Sequence, residues 1–443
     1  MNYRRTLLPL AACAGLLFPV CTSASNWANW RGPYFNGSAD GKKLPIDFDQ
    51  KKNVKWSTKV PGVAAATPII WDNHIFISTA DEDKKTLNAM AIDRRSGKVI
   101  WNKVVNDGAL SQDSRSNFAS PSPTTDGERV VYFYGNGDLI AFDFHGKKIW
   151  QRNIQKDYGE FAFQWTFSSS PLLHKGTLYL QVLQRNAPAR GRGKDNAESF
   201  LLAMDPATGK TRWKQLRPSD AVGESLEAFS TPIPHVENGR EELIIVGGDC
   251  LTGHDLKTGK ELWRWGTWNP TRIGHWRLVP SAVAGGGVVL ACAPKNAPIY
   301  AVKSGQSGTL SMSAVAWTSD PRADNVTSDV PTPLFYDGDF FVLSDTRRDN
   351  MLTRIDPKTG KAKWSTPVPE KRKKWRSSPT GADGKIYFMD HAANVVIVDA
   401  RSGKILKQIA MGQDGDDYTR SSIVVAHGQL FIRTNWKLFC IGK

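Results

Sequence analysis

Short apolar segments separated by tight polar turns recur along the whole chain. Eight times a pair of strand-like runs is joined by a turn containing Gly, Asp or Asn, as in IIWDNHIFIST, LLHKGTLYLQVL and LFYDGDFFVLSD. Such alternation bounded by turn residues is typical of a β-hairpin. In most copies a third apolar run then ends in Asp-x-x-x-Gly-Lys and leads through another turn into a strand marked by Trp. The pattern predicts units of four antiparallel strands, which is the form of a propeller blade.

The Trp strand is the most regular part of the repeat. Copies such as AMDPATGKTRW and RIDPKTGKAKW end in Trp, a degenerate copy ends at Trp317, and the last copy carries Lys407 in its place. We predict that these rings pack between neighbouring blades and that each indole N–H finds one local acceptor. Gly in the turn permits a positive φ, and the Lys lies in solvent. The predicted structural tryptophans are Trp56, Trp101, Trp150, Trp213, Trp263, Trp317 and Trp364.

The two ends of the repeat array complement each other. Self-similarity with a period of roughly 35 to 60 residues indicates a propeller or a solenoid, because each unit buries its apolar face against its neighbours. The final unit stops at residues 438–443, before its outermost strand, and residues 53–60 have the pattern of that missing strand. Pairing them would remove two open sheet edges. We therefore predict an all-β fold over residues 53–443: a single eight-bladed β-propeller of four-stranded antiparallel blades, with an N-terminal strand closing the last blade.

The first residues predict export. Arg4 and Arg5 precede an apolar run that is followed by small residues around Ala24, which is the pattern of a secretory signal peptide over residues 1–24. Residues 25–52 would then form an N-terminal extension. The segment from Leu10 to Cys13 also resembles a lipobox, so an outer-membrane lipoprotein is the alternative. Either way we expect a periplasmic or cell-envelope protein.

Cysteine content and net charge narrow the classes of function. Beyond the predicted signal only Cys250, Cys292 and Cys440 remain, each in or beside an apolar run, so we expect buried free thiols; one disulfide bridge stays open as an alternative. Their spacing predicts no metal site. The formal net charge of +15 favours an acidic partner such as an anionic glycan, lipopolysaccharide or a membrane surface. Export disfavours nucleic acid, and a merely soluble basic surface is the alternative.

Long connections are predicted to gather on one face. In a four-stranded blade, the loop between the second and third strands and the loop to the next blade emerge on the same side. One insertion, residues 184–199, lies between the second and third strands of its blade. It contains the basic stretch 187–193, which either extends over that face or is a disordered surface loop. Loops on a rigid scaffold commonly carry function. The long blade-to-blade connections are residues 106–118, 155–167, 218–229, 267–277, 369–376 and 412–420.

Polar and aromatic residues at the ends of these connections should converge on the central channel as a ligand-binding funnel. Arginine offers a planar fork for carboxylate or sulfate, and aromatic rings stack on sugars. A small-molecule or glycan site, a peptide or protein footprint, and a water-filled funnel of mutually paired charges are the alternatives. The predicted funnel residues are Arg115, Gln164, Trp165, Glu224, Glu227, His275, Trp276, Arg277, Asp329, Trp375, Arg376, Tyr418 and Arg420, with Phe118 beside them.

Catalysis is assigned only as a hypothesis, and the catalytic residues stay unknown. His275 with Glu227 could abstract a proton beside a uronate carboxylate whose charge is neutralised by Arg277, Arg376 and Arg420, as a β-elimination lyase requires. A structural role for His275 is the alternative.

The Ala-x-Asp-x-x-Thr-Gly-Lys-x-x-Trp repeat resembles the tryptophan-docking repeat of pyrroloquinoline-quinone-like β-propellers, a family that includes quinoprotein alcohol dehydrogenases and the assembly lipoprotein BamB. The segment NWANWRGP, residues 26–33, looks like the WxxxRGP opening of many exported members. For the dehydrogenases the resemblance implies adjacent cysteines over the quinone and carboxylate and amide ligands to calcium. This chain has no adjacent cysteines, and no residue can be matched to a calcium ligand, so we expect neither pyrroloquinoline quinone nor calcium.

The resemblance is specific for the fold and weak for the function. Our leading interpretation is a BamB-like binding or assembly scaffold of the cell envelope without a redox cofactor. A carbohydrate-active, lyase-like enzyme acting on acidic glycan in the funnel and a quinoprotein dehydrogenase are the alternatives. The expected partner is an envelope protein or an acidic glycan, the expected state is a monomer, and peripheral membrane association stays open.

Overall fold

Eight antiparallel sheets correspond to the eight repeats of the sequence. The computed structural model describes residues 26–63, 65–266, 268–323, 326–344, 350–369 and 374–442. The predicted eight-bladed propeller is confirmed, and strand β1 (Val54–Lys59) pairs with the last strand of the chain to close the ring. The predicted signal peptide lies outside the described residues.

The strands follow one another blade by blade, from the innermost strand to the outermost. Blade 1 contains β2 (Ile69–Trp71), β3 (His74–Asp81), β4 (Thr86–Asp93) and β5 (Val99–Asp107). Blade 2 contains β6 (Thr124–Thr125), β7 (Arg129–Phe133), β8 (Asp138–Asp143) and β9 (Lys148–Asn153). Blade 3 contains β10 (Leu172–His174), β11 (Thr177–Val182), β12 (Phe200–Met204) and β13 (Thr211–Leu216). Blade 4 contains β14 (Ile233–Glu237), β15 (Arg240–Gly247), β16 (Cys250–Asp255) and β17 (Glu261–Trp265).

The second half repeats this order with one addition. Blade 5 contains β18 (Val283–Gly285), β19 (Val288–Cys292), β20 (Ile299–Lys303) and β22 (Val315–Thr318), while β21 (Gly308–Leu310) pairs parallel with β17 of blade 4. Blade 6 contains β23 (Leu334–Tyr336), β24 (Asp339–Leu343), β25 (Met351–Ile355) and β26 (Ala362–Pro367). Blade 7 contains β27 (Thr380–Ala382), β28 (Lys385–Met389), β29 (Asn394–Asp399) and β30 (Ile405–Ala410). Blade 8 contains β31 (Val424–Ala426), β32 (Gln429–Arg433), β33 (Lys437–Ile441) and β1.

Helix is confined to short connections in the described residues. One helix, α1 (Ile154–Tyr158), begins at Asn153, whose side chain accepts from two backbone N–H groups of the first turn. Two single-turn 3-10 helices span Gly223–Leu226 and Met312–Ala314. No described helix combines the length and the apolar character that crossing a bilayer requires.

The predicted ring closure is formed by antiparallel pairing of β1 with β33. Trp56 lies opposite Cys440 and Ser57 lies opposite Phe439. Because the first and last strands share one blade, opening the ring would expose the edges of β1 and β33 and the apolar core between blades 8 and 1. Cys250, Cys292 and Cys440 are buried free thiols, as predicted.

The tryptophans pack between blades in a repeated geometry. In six cases the indole N–H donates to the backbone carbonyl that directly follows the turn Asp of the next blade. The bonds join Trp56 to Arg94 (2.8 Å), Trp101 to Phe144 (3.0 Å), Trp150 to Pro206 (2.8 Å), Trp213 to Leu256 (3.4 Å), Trp317 to Pro357 (2.7 Å) and Trp364 to Ala400 (3.3 Å). These bonds supply the local acceptors that the sequence analysis expected.

Trp263 departs from this geometry for a local reason. The next blade carries the degenerate copy of the repeat, whose inserted strand β21 lies along β17 and replaces the usual neighbour. The Trp263 indole therefore donates to the Glu242 carboxylate within its own blade, at 2.8 Å. The ring is still buried, with 1% of its surface exposed.

A ring of buried hydroxyl groups joins the innermost strands. Before seven of these strands the backbone N–H donates to a Ser or Thr hydroxyl of the next blade at 2.8–3.1 Å, from the bond of Thr67 to Ser122 to that of Ser422 back to Thr67. These bonds satisfy backbone groups that the blade sheets leave unpaired near the axis. The remaining members are Ser170, Thr231, Ser281, Thr332 and Ser378.

The N-terminal extension closes one end of the channel. We call this end the bottom face and the end with the long connections the top face. Trp27 pairs with Ile70 of blade 1, and Ser38 bridges to Gly381 of blade 7. Between them the Arg31 side chain, 2% exposed, donates to the carbonyl of Pro333 at 3.0 Å. Asn29 accepts from Thr124 of blade 2 at 2.6 Å, and Pro333 belongs to blade 6. Because blades 2 and 6 are opposite each other in the ring, the extension spans the bottom face.

Candidate functional site: an arginine-lined funnel

Four arginines from different blade connections meet at the top of the channel. Arg115, Arg277, Arg376 and Arg420 line one cavity of about 80 Å³, which we call the arginine cavity. They come from four of the long connections that the topology predicted to share a face. The other lining residues are Asp113, Ser116, Trp165, Thr166, Ser168, Phe229, Val279 and Val330.

Two further cavities continue the arginine cavity. The vestibule, about 310 Å³, shares Asp113, Arg115, Ser116 and Arg420 with it. The channel cavity, about 120 Å³, shares Arg376 and Arg420 and is also lined by Trp30 of the N-terminal extension. The three cavities therefore run from the top face toward the plugged bottom face. The other vestibule residues are Val63, Ala65, Ala80, Glu82, Leu110, Ser111, Ser114, Asn117, Ser120, Asp417 and Tyr418.

Arg420 occupies the position common to all three cavities. Its guanidinium carbon lies 4.3 Å from the centre of the Tyr418 ring. Its Nε and Nη2 atoms are shielded from solvent and have no hydrogen-bond partner among the described residues. Burial lowers the pKa of Arg420 to about 10, and Arg376 adds to the shift. The group is therefore cationic at neutral pH, and its unused donors favour an anionic acceptor.

Arg277, by contrast, is already paired. Its Nη1 and Nη2 lie 3.5 Å and 3.4 Å from the two oxygens of Asp329, and its Nε lies 3.9 Å from Oε1 of Glu224. Burial is the largest influence on Asp329 and would raise its pKa, but Arg277 and Lys295 together outweigh burial and lower that pKa. Arg277 thus fits the predicted alternative of mutually paired charges, and Arg420 does not.

Trp165 holds two guanidinium groups beside the cavity. The Arg115 guanidinium lies 3.9 Å from its ring centre, and that of Arg190, from the 184–199 insertion, lies at 4.9 Å. Both distances are within the range of cation–π attraction. The indole N–H donates to Glu224 at 2.7 Å, which fixes the ring. The ring that was predicted to stack on a ligand is therefore engaged with arginine.

The pKa of His391 reflects the positive charge around this site. Its ring is buried and packs 5.3 Å from Tyr418. Burial, together with the charges of Arg420, Arg376 and Lys374, lowers the pKa of His391 to about 3. The site thus disfavours an additional proton on the histidine and favours negative charge.

Glu227 lies behind the funnel wall. Its side chain is fully buried, its Oε1 accepts from the backbone N–H of Gln164 at 3.0 Å and pairs with Arg185, and its Oε2 has no described partner. Arg185 also donates to Oε1 of Gln164 at 2.6 Å. Burial raises the pKa of Glu227 to about 7 in spite of Arg185.

A pH dependence of stability follows from this shift. A carboxyl whose pKa is raised on folding binds more protons in the folded state, so the stability that Glu227 contributes is fully present below about pH 4.5 and is lost as pH rises through about 7. Glu227→Gln should flatten this fall, measured as unfolding midpoint against pH. Asp249, with its pKa raised to about 6 by burial, keeps part of the slope in the variant. Glu128→Gln, at a carboxylate 77% exposed, is the control; identical slopes for both variants would refute the assignment.

The structure does not unite the two catalytic candidates. His275 is exposed on the rim, and neither it nor Glu227 lines the arginine cavity. No hydrogen bond joins them among the described residues. The interpretation of them as an acid–base pair therefore has no geometric support here.

Three other predicted residues lie away from the cavities. Trp375 is 1% exposed and packs on Phe388 with ring centres 5.4 Å apart, so its placement in the funnel was wrong: the ring belongs to the core of blades 6 and 7. Phe118 is buried in the core around blade 1. Trp276 packs against the core of blades 3 to 5. A connection of eight or more residues must bury some of its own side chains, and apolar rings are the ones that turn inward.

Some site residues were not singled out from the sequence. Asp113 accepts from the Thr166 backbone N–H at 2.6 Å and from its hydroxyl at 2.7 Å, which ties two connections together. Its place in the 106–118 connection was the available signal. The ring of buried hydroxyl groups also had a signal in the sequence, because Ser or Thr precedes Pro before most innermost strands.

Oxygen ligands for calcium are poorly placed in this funnel. Glu224 and Asp329 are held by Arg277, and the cavity beside them is lined by three more guanidinium groups. Hard divalent cations need several oxygen ligands, and this ring repels them. Among the described residues no group of three His, Cys, Asp or Glu side chains could hold a metal ion. The residues present do not fit a calcium–quinone pair.

Comparison with known proteins agrees with the repeat pattern. The model of the family described as "Outer membrane protein assembly factor BamB" matches residues 38–190, 196–310 and 300–442. The tetrathionate hydrolase of Acidithiobacillus ferrooxidans is 24% identical over 279 residues, which cover 59% of this chain and 50% of the hydrolase. The chain spans about half the length of the curated relatives it matches.

Solved structures share the fold at low identity. The quinohemoprotein alcohol dehydrogenase of Comamonas testosteroni superposes with a TM-score of 0.66 at 13% identity, covering 95% of this chain and 81% of the dehydrogenase. BamB from Moraxella catarrhalis superposes with a TM-score of 0.59 at 12% identity, covering 88% of this chain and 97% of BamB. These likenesses concern the fold, because one propeller fold hosts different functions.

Proposed function

Because the chain belongs to the family described as outer membrane protein assembly factor BamB, we propose that it is a binding scaffold of the cell envelope, acting without a redox cofactor, whose arginine funnel captures an acidic group of its partner. The family description places the relatives in envelope assembly, and the basic net charge of +15 favours an acidic partner. The partner is an envelope protein or an acidic glycan, and the scaffold acts as an exported monomer.

One observation carries the proposal. Arg420 lines three adjoining cavities, and two of its buried guanidinium nitrogens have no acceptor among the described residues. Leaving buried charged donors unpaired is costly, and a bound carboxylate or sulfate would offset that cost with charge-assisted hydrogen bonds. Arg115 and Arg376 line the same cavity and add positive charge. The four lining arginines thus support capture of an anion at this point of the top face.

Arg420→Gln tests the proposal directly. We expect glucuronate to bind the mature protein and to bind the variant at least about tenfold more weakly, since a hydrogen bond to a charged group contributes roughly 1.5–3 kcal/mol. The measurement is isothermal titration calorimetry at low salt. Arg212→Gln, which removes a half-exposed arginine paired with Asp205 on an outer strand, is the matched control. Equal affinities of wild type and Arg420→Gln would overturn the proposed site.

An enzyme acting on an anionic substrate is the second candidate. The relative named tetrathionate hydrolase acts, by its name, on a sulfur oxyanion, and the same ring of arginines suits that charge. Incubation with tetrathionate or with polygalacturonate, followed by product analysis, distinguishes turnover from binding. Unsaturated sugar would support the lyase, and thiosulfate or sulfate release would support the hydrolase.

The dehydrogenase alternative has its own readout. A quinone and calcium that bind the native state would raise the melting temperature, because stabilisation follows ligand saturation. An unchanged melting curve at saturating concentrations of both would count against a quinoprotein role and for the scaffold.

A further inference from the structure

The charge of the lining differs between the two upper cavities. The arginine cavity is lined by Arg115, Arg277, Arg376 and Arg420, with Asp113 as its one carboxylate. The vestibule above it shares Arg115, Arg420 and Asp113 and adds the carboxylates of Glu82 and Asp417. A ligand that fills both cavities therefore meets four arginines at its inner end and two additional carboxylates along its outer part.

The vestibule carboxylates differ in how much they are engaged. Asp113 is partly buried and accepts from Arg115 and Thr166 at 2.6 Å each. Glu82 and Asp417 are exposed at the vestibule wall. A second acid group on the ligand body would lie beside these two charges and be repelled, because like charges across an interface oppose binding.

Neutral polar groups complete the vestibule. Serine hydroxyls at four positions and the Asn117 amide line it, and the Tyr418 hydroxyl donates to the Ser114 carbonyl at 3.2 Å. Hydroxyl groups on a ligand can donate to carboxylates and exchange bonds with serines. The arginine cavity is the smallest of the three cavities and has four arginines in its lining, so the acid group is the part of a ligand that suits it best.

We infer that the funnel selects a monoacid with a neutral, hydroxyl-bearing body, such as a terminal uronate sugar, and discriminates against polyanions. The acid group lies on Arg420, and the body lies in the vestibule beside Glu82 and Asp417. This inference rests on the proposed function and adds to it the ligand class and its orientation. It also assigns Glu82 and Asp417 as specificity-determining residues.

Four probes test the ligand class by calorimetry: glucuronate, neutral glucose, trigalacturonate with three acid groups, and the zwitterionic peptide triglycine. We expect glucuronate to bind tightest. Trigalacturonate should bind at least about tenfold more weakly, because its additional carboxylates meet those of the vestibule. Glucose should not bind measurably, since it lacks the acid group.

The double variant Glu82→Gln, Asp417→Asn tests the mechanism. It should strengthen trigalacturonate binding and reduce the ratio between the glucuronate and trigalacturonate affinities at least about threefold, because the repulsion that sets this ratio is removed. Asp414→Asn is the matched control, because Asp414 is exposed in the same connection and does not line the vestibule.

The outcomes distinguish a failure of this inference from a failure of the proposed function. Trigalacturonate binding as tightly as glucuronate, with Arg420→Gln weakening both, would overturn the ligand class and leave the acid-binding site standing. Triglycine binding more tightly than glucuronate would overturn the hydroxylated body. An absence of binding by every probe would overturn both proposals.

Discussion

Replacing Gly360 with Ala is expected to lower the free energy of unfolding by about 3 kcal/mol, through left-handed backbone strain of roughly 1–2 kcal/mol and overpacking of similar size. Gly360 has a φ of +70° in the Asp-x-x-x-Gly turn of blade 6. A Cβ at this position would lie 2.6 Å from the ring of Trp317, which is 9% exposed. The ring would have to move, and its bond of 2.7 Å to the Pro357 carbonyl would weaken.

Gly384→Ala is the matched control for this prediction. Its φ of +71° is nearly the same, but a Cβ there would meet no atom within 4 Å. It should therefore lose only the backbone component, about 1 kcal/mol. Denaturant unfolding followed by tryptophan fluorescence measures both variants. Equal losses would mean that contact with the tryptophan adds nothing to the role of the glycine.

Replacing Arg31 with Ala is expected to lower the free energy of unfolding by about 4 kcal/mol. A buried charge-assisted hydrogen bond contributes roughly 1.5–3 kcal/mol, and several are lost together. Nη1 donates to the Pro379 carbonyl at 3.2 Å, and Nη2 donates to those of Pro333 and Asn36 at 3.0 Å and 3.2 Å. The side chain thereby fastens the extension to blades 6 and 7. Its removal leaves buried carbonyl groups unpaired beneath the channel.

Melting temperature and limited proteolysis of the extension provide the measurement. Arg401→Ala, at an exposed arginine in a bottom-face turn of blade 7, is the control and should change the melting temperature little. Arg31→Lys should recover only part of the loss, since an ammonium group lacks the planar fork. A melting temperature unchanged by Arg31→Ala would contradict the fastening role.

The fold was predictable from the sequence because its determinants are local. Most repeats contain their own turn glycine, their own Asp and their own Trp, so the same short pattern yields the same blade. Closure was predictable as well, since a missing strand at one end and an extra strand at the other leave one arrangement without open edges. The exception is also local: the degenerate copy before Trp317 produces the additional strand β21, which the pattern did not predict.

The funnel was predictable only in outline. Topology located the face and the connections, and Arg115, Arg277, Arg376 and Arg420 do meet in one cavity. Topology could not determine which side chains turn outward. Trp375 and Phe118 fill the core, and Glu227 lies behind the wall, because the burial of each depends on neighbours from another blade.

The sequence by itself determined the number of blades, the closing strand and the tryptophan packing, because these depend on residues close together in each repeat. Only the tertiary structure decided that Arg277 pairs with Asp329 while Arg420 keeps unused donors. It also decided that Arg31 holds the N-terminal extension against blade 6. Those properties depend on distances between residues up to 348 positions apart in the chain. Charge pairing and desolvation are set by such distances, and no local pattern encodes them.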